Sequence, residues 1–222
     1  VIQIADTYDH IETTGYTITP AQARLGNKRI DHMKLAPRAK IFNRDSSKDP
    51  FPGTYDLVLG VEVACHIQDK DGLLENITTH LREGGRILLM EFIANLRGEI
   101  IDPGVSVYIP TVEGWAALLA RHGLVIDEII DVSPQIANSM HDPDYKKNTA
   151  GLPDVVRNSW QNWANNAVAI DKGWVSYSLF KLQREQALDE PELRARNLEQ
   201  LANQIPYDRA VEQMHEYGHI PY

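Results

Sequence analysis

The stretch between Tyr55 and Phe92 constrains this chain more than any other. Two runs that are apolar almost without alternation, residues 55–63 and 87–92, bracket a single amphipathic segment. A strand with one wet face alternates apolar and polar residues, so continuous apolar runs belong to strands covered on both faces. The intervening segment has Leu73, Leu74, Ile77 and Leu81 at helical spacing behind Asp69 or Asp71, which predicts a helix closed by Gly84-Gly85. Two buried strands joined by a helix form a crossover unit, whose strands pair in parallel.

The alternation continues in both directions. Apolar positions in residues 1–11 recur at helical spacing, and residues 13–18 are β-branched and aromatic. Thr19-Pro20 then reads as a cap and the proline of a first helical turn, opening a helix over 21–35. Residues 39–42 make a short strand that ends in the polar run 43–49. Beyond a long segment, 95–110, Thr111 caps a helix through Trp115, Leu118 and Leu119, and strands over 124–132 and 174–182 flank a helix over 153–170. The whole predicts an α/β fold, a doubly wound and mostly parallel sheet with helices on both faces.

From residue 185 the character changes. Residues 185–222 supply five of the nine net negative charges and put Leu193, Leu198 and Leu201 at helical spacing. They predict an acidic helical linker or docking segment laid on a domain of residues 1–184. A net charge of −9 offers no electrostatic footprint for nucleic acid or an anionic membrane. One cysteine, Cys65, excludes an internal disulfide, and no apolar run is long enough to span a bilayer, so a cytoplasmic location is expected.

On an open α/β sheet, ligands lie beyond the carboxyl ends of the strands. Those ends carry Thr17 with Gln22, Asp45 with Ser46, Glu62 with His66, and Glu91. The segments "PFPGTYDLVLGVEVACHI" and "LLENITTHLREGGRILLMEF" resemble the second half of a class I S-adenosylmethionine-dependent methyltransferase. With "GYTITPAQ", "FIAN", "YIPT" and the "IPY" tail, the chain is most similar to O-methyltransferase domains embedded in modular polyketide synthases. That family begins with a strand and a glycine-rich loop, and the resemblance implies that both are missing before Val1. A chain lacking them is expected to bind S-adenosylmethionine poorly.

The resemblance also implies roles. Thr17 and Gln22 would bind the ribose hydroxyls, Asp45 with Ser46 the adenine, and Glu62 the amino group of the cofactor or the pocket floor. His66 is expected to be the general base that takes a hydroxyl proton, since a histidine's ordinary pKa of about 6.5 suits that task near neutrality. Glu91 would receive the second ring N–H of His66. His141, on the loop after the 124–132 strand, would line the acceptor pocket or act as the base instead. Tyr108 is a lid contact in this reading. Trp160 and Trp163 are core or substrate-channel walls, and Cys65 is a buried small hydrophobe.

The implied reaction is O-methylation of a β-hydroxyl or enol on a polyketide intermediate presented by an acyl carrier protein, among neighbouring synthase domains. C-methylation of the α-carbon of a β-ketoacyl thioester, or an inactive methyltransferase-like module, are the alternatives. A nicotinamide-dependent oxidoreductase is disfavoured, because no ribose-binding acid stands near Thr17. No metal site is expected: His215-Glu216-Tyr217-Gly218-His219 fits the H-E-x-x-H pattern, but Gly218 and Pro221 break the helix that pattern needs. Asn76-Ile77-Thr78 is a glycosylation sequon inside a predicted helix and is discounted.

Overall fold

The computed structural model describes residues 1–216, with the side chains of His215 and Glu216 outside that description. The H-E-x-x-H pattern and the "IPY" tail therefore lie outside the described residues. The chain opens with α1 (Ile2–Thr7), β1 (Thr13–Thr17), α2 (Pro20–His32), β2 (Ala39–Asn43) and β3 (Tyr55–Val61). A 3-10 turn, Ala64–His66, leads to α3 (Lys70–His80) and β4 (Leu81–Ala94). The hairpin β5 (Ile100–Asp102) and β6 (Val107–Ile109) precedes α4 (Val112–Arg121) and β7 (Leu124–Asp131). Next come α5 (Ser133–Met140), α6 (Tyr145–Asn148), α7 (Asp154–Asp171) and β8 (Val175–Arg184), and the chain ends with α8 (Glu190–Ala202), β9 (Ile205–Pro206) and α9 (Tyr207–Glu216).

The expected caps set several of these boundaries. Pro20 stands in the first turn of α2 behind Thr19, which holds the N-cap position without a side-chain cap bond. The Asp69 carboxylate accepts the Gly72 N–H, and the Thr111 hydroxyl accepts the Gly114 N–H. α3 differs from expectation at its far end: it stops at His80, and Gly84-Gly85 falls inside β4. Leu81 is buried in the core and pairs with Tyr55, so the ladder captures the chain before the glycines are reached.

The main sheet has the order β3-β4-β8-β7-β9. β3, β4, β7 and β9 share one direction, and β8 runs against both its neighbours. β1 and β2 form a separate parallel pair. Side chains alternate between two cores. Ile87, Leu89, Phe180 and Leu182 meet α3 and α4 on one face, while Phe92, Val175 and Tyr177 meet α5 and α7 on the other. A register shift between Ile126 and Glu128 lets Ile126 and Ile129 face the same core. β3 departs from the expected two-sided cover: on one of its faces Leu57, Leu59 and Val61 are 46%, 49% and 61% exposed, and no strand pairs with its outer edge among the described residues.

Three segments differ from the sequence reading. Residues 95–110 contain a hairpin, and residues 133–148 form two short helices. The acidic segment after residue 185 is more than a surface layer: α8 buries Leu193 and Leu201, and β9 extends the main sheet beside β7. Asn197, fully buried, donates to the Leu124 carbonyl at 3.0 Å and accepts the Ile126 N–H at 2.8 Å. Its amide thus completes the edge of β7 as a strand would.

Candidate active site

Polar groups gather at the carboxyl ends of β1 to β4. Thr17, the last residue of β1, donates its hydroxyl to Gln22 Oε1 at 2.6 Å and accepts the Thr19 N–H at 3.2 Å. The two residues predicted to bind ribose are therefore already joined. Gln22 Nε2 donates to nothing among the described residues, which leaves two N–H groups for sugar hydroxyls.

After β2, Asp45 closes a tight turn. Its Oδ1 accepts the Ser47 N–H and hydroxyl at 3.0 and 2.7 Å, and Lys48 Nζ donates to Oδ2 at 2.7 Å. The Lys48 ammonium, then the Ser47 bonds working against burial, hold the Asp45 carboxyl below the ordinary carboxylate range. The turn is fixed from α3 by Asn76, which donates to the Ser46 and Asp49 carbonyls, both at 2.8 Å, and accepts the Phe51 N–H at 3.4 Å. The residue discounted as a sequon is the one that positions Asp45 and Ser46.

β3 delivers Glu62 in a left-handed conformation, φ +52°, with its N–H held by the Met90 carbonyl at 2.9 Å. Tyr177, on β8, donates its hydroxyl to Glu62 Oε1 at 3.0 Å. Burial, then the Glu62 charge, push the Tyr177 phenol upward, so it remains a donor and fixes the carboxylate. The sequence reading missed Tyr177, since a tyrosine in an apolar strand looks like core.

The expected Glu91–His66 hydrogen bond is not formed, and that pairing is corrected. Glu91 is fully buried; its Oε1 accepts the N–H groups of Val63 and Ala64 at 2.8 and 2.7 Å, and its Oε2 accepts that of Cys65 at 3.1 Å. The turn after β3 leaves these donors without helical partners, and a buried carboxylate needs several donors, so each satisfies the other. Burial still raises the Glu91 carboxyl above its ordinary value against those three bonds. Glu91 thus shapes the turn that carries His66 without touching the ring.

The His66 ring instead meets the hairpin: Nδ1 lies 2.8 Å from the Ser106 carbonyl oxygen. A carbonyl can only accept, so Nδ1 carries the hydrogen and Nε2 of the neutral ring holds the lone pair. Ser106 is itself left-handed, φ +52°. Lys70, buried, donates to the Ile67 and Tyr108 carbonyls at 2.7 and 2.6 Å, and burial lowers its pKa. Tyr108, expected as a lid contact, thus joins this arrangement through its backbone. Lys70 had no signal in the sequence beyond standing at a helix start.

Other candidates stand apart. His141 is exposed after α5 and makes no side-chain hydrogen bond to the other candidates; Asp142 next to it closes a turn with the Asp144 N–H and the Asn148 amide. Trp160 and Trp163 are 46% and 54% exposed, which departs from the expected core position. Cys65 is buried, and burial followed by the Glu91 charge pushes its thiol up, which leaves it inert.

These residues suit a nucleoside with a charged amino-acid tail. A neutral hydroxyl–amide pair keeps free N–H groups of the kind a diol would accept, an acid turn lies after the next strand, and Glu62 offers a fixed carboxylate. Comparison with known proteins identifies the family. A family described as methyltransferase domain matches residues 1–87. The O-methyltransferase from a trans-AT PKS multienzyme of Brevibacillus brevis, in complex with S-adenosyl-L-homocysteine, superposes with a TM-score of 0.94 at 51% identity, covering 100% of this chain and 74% of that one. A StiE O-MT structure superposes at 0.81 with 35% identity, over 94% of this chain and 71% of that one. Polyketide synthase ThaQ of Burkholderia thailandensis is 50% identical over all 222 residues, and the chain spans 11% of ThaQ's length. The chain belongs to the class I S-adenosylmethionine-dependent methyltransferases, among those similar to the O-methyltransferase domains of polyketide synthases.

Proposed function

We propose that this domain methylates a hydroxyl, a β-hydroxyl or enol, of a polyketide intermediate tethered to an acyl carrier protein, within a cytoplasmic synthase. Thr17 and Gln22 would hold the ribose, Asp45 and Ser46 the adenine, and Glu62 the amino group of S-adenosylmethionine. That cofactor supplies an electrophilic methyl on a positively charged sulfur.

His66 is the general base. Its Nδ1–H is committed to the Ser106 carbonyl, so Nε2 would accept the hydroxyl proton as the acceptor oxygen takes the methyl and the methyl–sulfur bond breaks to leave neutral S-adenosylhomocysteine, and the resulting imidazolium would keep its Nδ1 bond. The proton then leaves Nε2 to water. This single contact carries the reading, and it favours His66 over His141, which has no comparable orienting partner. Glu91 contributes by holding the turn through three N–H groups.

The test is His66→Ala in the natural polypeptide, with a 3-hydroxyacyl pantetheine thioester as acceptor. A loss of at least about 10²-fold in rate, with cofactor affinity kept, supports the base assignment. An undiminished rate refutes it.

A further inference from the structure

Resting on His66 as base, we propose that Lys70 is a positioning residue: its ammonium clasps the β5–β6 hairpin to the turn after β3, and so keeps the Ser106 carbonyl on His66 Nδ1. Two side chains bridge the same two elements. His66 reaches Ser106 at 2.8 Å, and Lys70 reaches Tyr108, two residues further along the hairpin, at 2.6 Å. The other end of the Lys70 contact is the Ile67 carbonyl, the residue after His66. One ammonium thus ties the chain on both sides of the orienting contact.

A buried ammonium is costly, since burial disfavours its charged form. A merely structural link could be made by a neutral side chain. Here the charge is supported from two elements: Glu91 of β4 and Glu99 beside the hairpin both favour it, and the Tyr108 ring lies 5.7 Å from Nζ. The hairpin packs Ile100, Val107 and Ile109 against the core, but its outer side and tip are loose, with Ile101 and Val105 more than half exposed and Ser106 in a left-handed conformation, and it is this tip that the clasp steadies. Without the clasp the ring of His66 can turn, and the proton on its neutral form is free to settle on Nε2, where it blocks the base.

The test compares Lys70→Met, His66→Ala and the double variant in the natural polypeptide. The 3-hydroxyacyl pantetheine thioester is the acceptor, with hydrogen exchange read over residues 100–109. Lys70→Met should lower kcat at least about tenfold while the KM for S-adenosylmethionine stays within about twofold, and should raise exchange in 100–109 but not in α4 or β7. Added to His66→Ala, it should cost less than about twofold more, because Lys70 acts through His66. A Lys70→Met rate equal to wild type beside a slow His66→Ala overturns this proposal alone, as does a double variant whose losses multiply. A wild-type rate in His66→Ala overturns the base assignment and the clasp's role together. If Lys70→Met fails to fold, Lys70→Gln, which keeps a donor for one carbonyl, carries the same comparison.

Discussion

Replacing Glu91 separates two accounts of the active site. In one, a carboxylate orients the catalytic histidine directly; in the other, supported by the geometry, it holds only the backbone of the turn. Glu91→Ala leaves three N–H groups without their acceptor, two of them on the buried residues Ala64 and Cys65. Each unsatisfied buried donor costs about 1–3 kcal/mol, and relief of a desolvated charge returns part of that, so a loss of about 3 kcal/mol is expected. Glu91→Gln keeps one oxygen for Val63 and Ala64 but sets an NH2 group against the Cys65 N–H, for about 1–2 kcal/mol. Urea unfolding at a fixed m-value measures both. Because Glu91 does not touch the ring, Glu91→Gln should slow methyl transfer less than about tenfold. An amide in place of a carboxylate bonded to a catalytic histidine would cost on the order of 10⁴-fold. A Glu91→Gln protein with wild-type stability and a rate loss of that order would refute the reasoning.

Two further predictions concern the turn after β2. Asn76→Asp loses both donors to the Ser46 and Asp49 carbonyls and places a charge near Asp45 and Asp49; calorimetry should find the cofactor Kd raised at least about tenfold, with about 2 kcal/mol lost in stability. Asp45 sits below the ordinary carboxylate range, chiefly through Lys48. The folded state therefore binds its proton less readily than the unfolded chain, and the stabilisation is present above the unfolded value and lost as pH falls through the folded one. Asp45→Asn should flatten the fall in unfolding free energy between about pH 5 and about pH 3, followed by urea titration at each pH.

The strand–helix order was legible because apolar runs and caps are local signals. The apolar runs 55–63 and 87–92 marked strands, although one face of β3 is left exposed at Leu57, Leu59 and Val61, and Asp69, Thr111 and Pro20 announced three helix starts. What stayed hidden depends on partners far along the chain. The β5–β6 hairpin has strands of three residues, too short for Ile100, Val107 and Ile109 to read as a periodic face, and its contacts to Lys70 and His66 come from a distant turn. α8 was legible as a linker or docking segment from Leu193, Leu198 and Leu201, but the role of Asn197 was not, because it exists only opposite the Leu124–Ile126 backbone. The strand ends were correctly where polar groups gather, but spacing could not say that Glu91 would serve three backbone N–H groups. The unpaired donors of the turn made that choice, and they become visible only once β3 and β4 lie side by side.

The reaction is tested most directly by finding where the methyl group goes. The natural polypeptide, given methyl-labelled S-adenosylmethionine and the 3-hydroxyacyl pantetheine thioester, should return an acceptor whose label sits on oxygen as a methoxy group, read by carbon NMR of the released acid. Label on the α-carbon, or no transfer despite bound cofactor, would contradict the account.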